Sequence, residues 1–212
     1  MKNLETPATK LAIYGASGTV GSALLVEALS RQYEVTAILS DLNALPSRPG
    51  IRTQQGNLFD ALSVSQNVAG KDAVICVLCS ECLPAGTQNR SAHEFEQVYD
   101  AVSALLDGLA LAGVRRLLLV DGFAWLDEAD DGLPQPAHHL QNRLLDSQIA
   151  WTLVDTPAQA DERLSLGNFL HPSDVAVHGL RQFAAGLLDE LMLALHVRQR
   201  IRIYSTAEEA SL

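Results

Sequence analysis

Seven residues near the amino terminus constrain this chain more than any others: Gly15-Ala16-Ser17-Gly18-Thr19-Val20-Gly21. They follow an apolar run, Leu11-Ala12-Ile13-Tyr14, that reads as a strand. They lead into Thr19 to Ser30, where Val20, Leu24, Leu25, Ala28 and Leu29 recur at helical spacing. Gly15 supplies a tight turn. Gly18 leaves room for the main chain to touch a pyrophosphate, since any Cβ would stand in the way. Gly21 lets the helix lie close to the sheet, and the free amides at the helix start then face the diphosphate. Three glycines alone are weak evidence, and a plain glycine turn is the alternative. Their place after a strand, before an amphipathic helix and at the head of a strand–helix series makes the pattern specific.

The series continues along the chain. Val35 to Leu39 is a β-branched second strand, and Asp41 to Gly50 is a loop punctuated by Pro46, Pro49 and Gly50. Ile51 to Gln55 reads as a third strand, Ala61 to Val68 as a short helix, and Ala73 to Leu78 as a continuously apolar fourth strand. His93 to Leu111 is the longest amphipathic helix, stopped by Gly113. Arg116 to Val120 is a fifth strand, Asp127 to Pro136 an exposed acidic loop, Ala137 to Asp146 a helix and Trp151 to Val154 a sixth strand. Ala158 to Asn168 is ambiguous. Val175 to Val177 suggests a short strand before a turn at His178-Gly179. Arg181 to Leu195 is a helix with Phe183, Ala184, Leu187, Leu188, Leu191 and Leu195 inward, and Arg200 to Tyr204 a last strand. The pattern predicts an α/β fold: one Rossmann-type, doubly wound parallel sheet with helices on both faces. Residues 1–212 form a single domain, with 205–212 a loose tail.

Composition narrows the partners. Fifteen Lys and Arg against 25 Asp and Glu leave a formal charge of −10, which argues against a nucleic-acid backbone as ligand. No run approaches the ~20 apolar residues of a membrane span. The three cysteines, Cys76, Cys79 and Cys82, are odd in number and clustered, which suits a reducing cytoplasm rather than a disulfide framework. Their CxxCxxC spacing lacks a fourth ligand, and Cys76 falls mid-strand, so no metal site is expected. Cys79 and Cys82 could be thiols at a site mouth. His93, His171, His178 and His196 are scattered and form no ligand pattern. Trp151 is expected in the core of strand six, while Trp125 could cover a pocket or anchor the surface.

The GxxGxxG spacing resembles that of the atypical short-chain dehydrogenase/reductases, specifically the NmrA-like NAD(P)-binding proteins of NADH-flavin reductase type. Four further segments carry the likeness: Gln55-Gly56-Asn57-Leu58-Phe59-Asp60 after strand three, Lys71-Asp72-Ala73-Val74-Ile75, Ala150 to Pro157, and Asp189-Glu190-Leu191 with His196-Val197-Arg198-Gln199-Arg200. The resemblance implies roles by position. Gly15, Ser17, Gly18, Thr19 and Val20 would cradle the pyrophosphate. Asn57 and Leu58 would flank the adenine. Leu78, Cys79 and Ser80 would line the nicotinamide side. Val120, Asp121 and Gly122 would close strand five, and Thr156, Pro157 and Ala158 would border the nicotinamide and an acceptor pocket. The implied activity is hydride transfer from NAD(P)H to a flavin, quinone or other small acceptor, by a monomer or homodimer. The alternatives are a dinucleotide-sensing regulator without turnover, and a sugar-nucleotide epimerase or dehydratase, for whose larger substrate domain the chain has little room.

Three departures from the family pattern matter. Ser40, followed by Asp41, stands where the family usually carries an Arg for the 2′-phosphate of NADP. A carboxylate there would bond a ribose hydroxyl and repel a phosphate, which favours NADH, unless Arg48 or Arg52 folds back; Asp41 reads equally well as a turn or cap residue. Asn57 replaces the usual Asp, with little change expected. The Tyr-xxx-Lys dyad of classical short-chain dehydrogenases is missing. His138 or His139 could supply a proton instead, with His139 and Arg143 on one helical face, or both histidines simply lie exposed at a helix start. Hydride transfer to a flavin needs no strong protein acid.

Overall fold

A computed structural model describes residues 8–78, 91–127, 133–157, 164–170 and 175–204, the side chains of 175 and 176 excepted. Seven parallel strands form one sheet: β1 (Lys10–Tyr14), β2 (Glu34–Leu39), β3 (Ile51–Gln55), β4 (Ala73–Val77), β5 (Arg116–Asp121), β6 (Ala150–Asp155) and β7 (Arg200–Ile201). Their spatial order is β3-β2-β1-β4-β5-β6-β7. The winding therefore reverses between β1 and β4. A reversal of this kind opens a crevice at the carboxyl ends of the strands, where such sheets take ligands.

The helices are α1 (Thr19–Ser30), α2 (Ala61–Val68), α3 (Ala92–Ala112), α4 (Gln135–Asp146), α5 (Leu166–Leu170) and α6 (Val175–Leu193). They cover both faces of the sheet, which is why β1, β4 and β5 are apolar without alternation. On one face Ala12, Val74, Leu117 and Leu119 are buried with Val64, Leu105 and Leu140 of α2, α3 and α4. On the other, Leu11, Ile13, Ile75, Leu118 and Val120 pack with Leu24, Phe169, Phe183 and Leu187 of α1, α5 and α6. The edge strand β3 is mostly exposed and correspondingly polar.

Local signals explain the boundaries. Asp60 caps α2 by accepting from the Leu62 N–H at 3.0 Å. Ser91 and Glu94 form a reciprocal capping box at the start of α3, and Gly113 ends that helix in the left-handed region at φ 71°. The carboxyl end of α1 is tied to α6 by Arg31, which donates to Glu27 at 2.8 Å and to Asp189 at 2.7 Å.

Several sequence expectations need correction. Val175 to Val177 is not a strand, and no turn falls at His178-Gly179; α6 runs unbroken from Val175 to Leu193. Val177, Leu180, Phe183, Ala184, Leu187, Leu188 and Leu191 recur at helical spacing and are all buried, and that continuous apolar stripe outweighs the local preference of Val and Gly. The helix stops two residues short of Leu195, which is exposed rather than inward. The last strand covers only Arg200–Ile201, and α4 starts at Gln135, inside the expected loop. Trp125 is buried, edge-on to Phe95 with ring centroids 5.3 Å apart, so it is not a surface anchor. Trp151 is buried as expected, its indole N–H donating to the Leu144 carbonyl at 2.8 Å.

Candidate functional site

The turn between β1 and α1 is built from backbone. Gly15 sits at φ 73°, a conformation that side chains disfavour, and its carbonyl accepts from the Gly18 N–H at 3.3 Å. At Gly21 a Cβ would lie 2.1 Å from the Gly15 oxygen and 2.6 Å from Ala16 Cα; only a hydrogen fits where helix meets turn. Gly18 is different. It has φ −72° and ψ 173°, open to any residue. A Cβ there would meet nothing closer than the Gly15 oxygen at 3.6 Å. The protein's own packing explains two of the three glycines and leaves Gly18 unexplained. Gly18 is also the N-cap of α1, yet no side chain caps that helix, an arrangement suited to an anion. Ser17 is half-buried and Val20 buried beside it, and Thr19 Oγ1 accepts from the Leu164 N–H at 3.1 Å, tying the turn to the stretch before α5.

The carboxyl ends of β2 and β3 flank this turn. Ser40 is exposed, and its carbonyl accepts from Gln55 Nε2 at 3.2 Å. Asp41 caps the 3-10 turn Leu42–Ala44, its Oδ1 accepting from the Asn43 N–H at 2.9 Å, so the cap role foreseen as one of two options is occupied. Of the two arginines that could fold back, Arg52 pairs with Glu34 at 3.2 Å at the opposite, amino end of the sheet, which removes it. Arg48 is half-buried in the loop, its Nε without a partner. Asn57 forms a local turn, with Oδ1 accepting from the Phe59 N–H at 3.0 Å and its own N–H donating to Ser63 Oγ at 2.9 Å. Leu58 is buried beneath it. Gly56 had no separate reason in the sequence: a Cβ there would lie 2.2 Å from Asn67 Nδ2 and 2.5 Å from Ile38 Cγ2. Tyr14 stands at the end of β1 with its hydroxyl buried near Asn67; burial, with Cys76 nearby, pushes its pKa up against the opposing influence of Asn67, so it stays a neutral phenol.

On the other side of the reversal, Leu78 is buried and its N–H donates to the Val120 carbonyl at 2.9 Å. Asp121 is fully buried and ends the β5–β6 ladder opposite Asp155. Gly122 fronts open space, with nothing within 4 Å of a Cβ built on it. Thr156 donates its N–H to the Asp121 carbonyl at 2.9 Å, and Pro157 is buried next to it. Cys79, Ser80, Cys82 and Ala158 lie outside the described residues, as does the tail 205–212; Cys76 is buried in β4. Among the described residues, no group of three or more His, Cys, Asp or Glu is placed to hold a metal ion. No helix among them is long and apolar enough to cross a membrane.

The histidines at the start of α4 part company. His138 is half-buried and His139 exposed. The His139 ring tilts against Tyr99 of α3, with centroids 6.1 Å apart. Arg143, one turn on, pairs with Asp107, also on α3. That face of α4 is thus used to dock α3.

A side-chain network missed by sequence reasoning closes the far end of the crevice. Asp155 at the end of β6 receives Arg200 Nη2 at 2.8 Å, Arg202 Nε at 2.7 Å and the Phe123 N–H at 3.1 Å. Asp127 receives Arg200 Nη1 at 2.8 Å and Arg202 Nη2 at 3.3 Å. The HVRQR segment was a signal, but nothing in it named the partners.

Residues 15–172 match the model of the NAD(P)H-binding family. The chain belongs to that family. Solved structures agree on the fold. The oxidoreductase ylbE from Lactococcus lactis is 15% identical, covers 93% of this chain and 91% of its own, and superposes with a TM-score of 0.65. ChuY, an anaerobillin reductase from Escherichia coli O157:H7, is 18% identical over 93% of this chain and 98% of its own, with a TM-score of 0.60. A short-chain dehydrogenase/reductase from Veillonella parvula, solved in complex with NADP, is 14% identical over 94% and 96%, with a TM-score of 0.59.

Proposed function

We propose that this member of the NAD(P)H-binding family is a reductase that uses the bound dinucleotide to reduce a small planar acceptor, a flavin, quinone or similar electrophile. The observation that supports this reading is Gly18. It stands at an uncapped helix start, in unstrained backbone, with no protein atom that a Cβ would strike. A diphosphate laid against that turn accounts for the missing side chain. Gly15, Ser17, Thr19, Val20 and Gly21 complete the cradle. Asn57 and Leu58 flank the adenine beyond β3. The dinucleotide crosses the reversal between β1 and β4, and Leu78, Asp121, Gly122, Thr156 and Pro157 border its nicotinamide half. A bound NAD(P)H supplies hydride from C4 of its nicotinamide. The protein's part is to orient the two reactants and exclude water, and variants of His138 and His139 at the start of α4 test whether either supplies a proton. The names of two structural neighbours, the oxidoreductase ylbE and the anaerobillin reductase ChuY, support a redox class of reaction and leave the acceptor to experiment.

The reading extends to cofactor choice. Ser40 carries no positive charge, Asp41 adds a negative one, and Arg52 is engaged at the far end of the sheet. NADH therefore binds better than NADPH. Calorimetry with both dinucleotides, on wild type and on Ser40→Arg, tests this. The substitution should raise NADPH affinity about tenfold by pairing the 2′-phosphate. A wild-type preference for NADPH would refute the assignment and point to Arg48. Spectrophotometric oxidation of NADH with FMN and with a quinone tests turnover. Tight binding with no oxidation by either would make the protein a dinucleotide sensor.

A further inference from the structure

The β5–β6 ladder runs out at the pair Asp121–Asp155. Past that point, the next backbone N–H on the β5 side, Phe123, is taken up by the Asp155 side chain at 3.1 Å. The Asp155 carboxylate thus carries the ladder one step further and bends the chain after Gly122 toward β6. A carboxylate in this place needs its second oxygen and its charge satisfied. Arg200 does this from β7 with a bidentate grip, Nε at 3.0 and 3.1 Å and Nη2 at 2.8 Å. Asp155 and Arg200 are both largely shielded from solvent, at 14% and 15% side-chain exposure. Arg200 reaches Asp155 because β7 pairs Arg200 with Leu153, two residues earlier on the same face of β6. Arg202 and Asp127 close the set, two guanidinia against two carboxylates, and Asp127 ends the same 3-10 turn that carries the buried Trp125.

We propose that Arg200 and Asp155 form a positioning clamp that sets the nicotinamide wall of the crevice, holding Gly122-Phe123 and Thr156-Pro157 at a fixed separation. This rests on the dinucleotide reading above. Neither residue touches the cofactor; both act through the backbone of the two strand ends. Loosening the clamp lets the wall move, so the nicotinamide half loses its seat while the adenine and diphosphate, held at Gly15–Gly21 and Asn57 across the reversal, keep theirs.

Calorimetry with NADH and with ADP-ribose, which lacks the nicotinamide, separates the two halves. Arg200→Met should weaken NADH binding about tenfold and leave ADP-ribose binding unchanged. Arg200→Lys, which keeps the charge but not the fork, should recover part of the loss. Asp127→Asn, cutting only the exposed outer leg, should fold normally and give a smaller loss of the same kind. Equal losses for both ligands, or no loss for either, would overturn the clamp. If wild type bound neither NADH nor ADP-ribose, the dinucleotide reading itself would fail and take the clamp with it; wild-type binding with an indifferent Arg200→Met would sink the clamp alone.

Discussion

The turn after β1 and the segments that follow β5, β6 and β7 all stand at the same end of one parallel sheet, yet they are built from opposite materials. The first is mainly backbone: three glycines, a helix with no side-chain cap, one hydroxyl tie from Thr19 and no charged side chain. The second is side chains: Asp127, Asp155, Arg200 and Arg202, interlocked at 2.7 to 3.3 Å. A backbone cradle suits a group common to every dinucleotide, because amides bind phosphate oxygens whatever else the ligand carries. A side-chain wall can be altered one residue at a time without disturbing the cradle, which is the division of labour expected where one cofactor serves many acceptors.

The side-chain half has a counterpart at the amino end of the sheet, and breaking it should give the largest effect. Glu190 of α6 is buried and accepts from Arg116 Nη2 at 2.9 Å and the His196 N–H at 3.1 Å, with His196 Nδ1 2.8 Å from its other oxygen. Arg116 also donates to Thr152 Oγ1 at 2.8 Å. These contacts pin α6 and the strained α6–β7 connection, where Ala194 and Arg198 have positive φ, to β5 and β6. Glu190→Ala leaves the Arg116 guanidinium buried without its partner and should cost about 3–5 kcal/mol, read as a lowered denaturation midpoint. Burial alone would raise the Glu190 pKa, but the hydrogen bonds from His196 and the charge of Arg116 overcome it and hold the carboxyl below its ordinary value. The folded pKa is depressed, so the stabilisation is fully present above the unfolded value of about 4.3 and is lost as pH falls through the folded value. Acid denaturation of wild type should therefore steepen below about pH 4.3, and Glu190→Gln should flatten that limb. A variant that kept the wild-type acid limb would show that the lock does not carry it.

The backbone half is sharpened by comparing two glycines three residues apart. Gly21→Ala puts a methyl 2.1 Å from the Gly15 oxygen, so α1 must move off the turn. It should cost about 1–3 kcal/mol and weaken dinucleotide binding along with it. The Cβ that Gly18→Thr adds meets no protein atom closer than 3.6 Å, and Thr serves about as well as Gly at an N-cap. Its melting temperature should match wild type while NADH affinity falls at least tenfold, about 1.4 kcal/mol. If Gly18→Thr bound NADH normally, the cradle would lie elsewhere. If it unfolded, Gly18 would be a packing glycine like Gly21.

What could be read from the sequence follows the same division. The β1 turn was legible because its determinants are seven consecutive residues with a spacing. So was the end of α3, where Gly113 needs only its own positive φ. The amino-terminal turns of α6 were misread because Val175, Val177 and Gly179 favour a strand and turn locally, whereas the burial of Val177 and Leu180 against the sheet decides the outcome. The wall could not be read at all. Asp155 and Arg200 are 45 residues apart and Arg116 and Glu190 are 74 apart, and such pairs are set by the strand order, which no local pattern states. Asp41 was legible as a cap or a ribose partner, and the cap is seen.

The smallest effect is expected at the start of α4, where His138 and His139 stand. If His139 replaced the missing tyrosine as proton donor, His139→Gln would lower quinone reduction by ~10²-fold or more and remove a limb of the pH profile near 6.5. The contacts of His139 support a packing role instead. His139 is exposed and lies against Tyr99, and Arg143 on the same face is spent on Asp107. A ring committed to the α3–α4 contact serves docking, and its loss should cost no more than an exposed aromatic pair, well under about 1 kcal/mol. His139→Gln should therefore leave NADH oxidation within about twofold of wild type at every pH, since twofold is only ~0.4 kcal/mol in the barrier. His138→Gln, made beside it, asks the same of the half-buried ring. A lost pH limb in either variant would restore a protein acid to the reaction; unchanged profiles in both leave catalysis to the placement of the two reactants by the crevice walls.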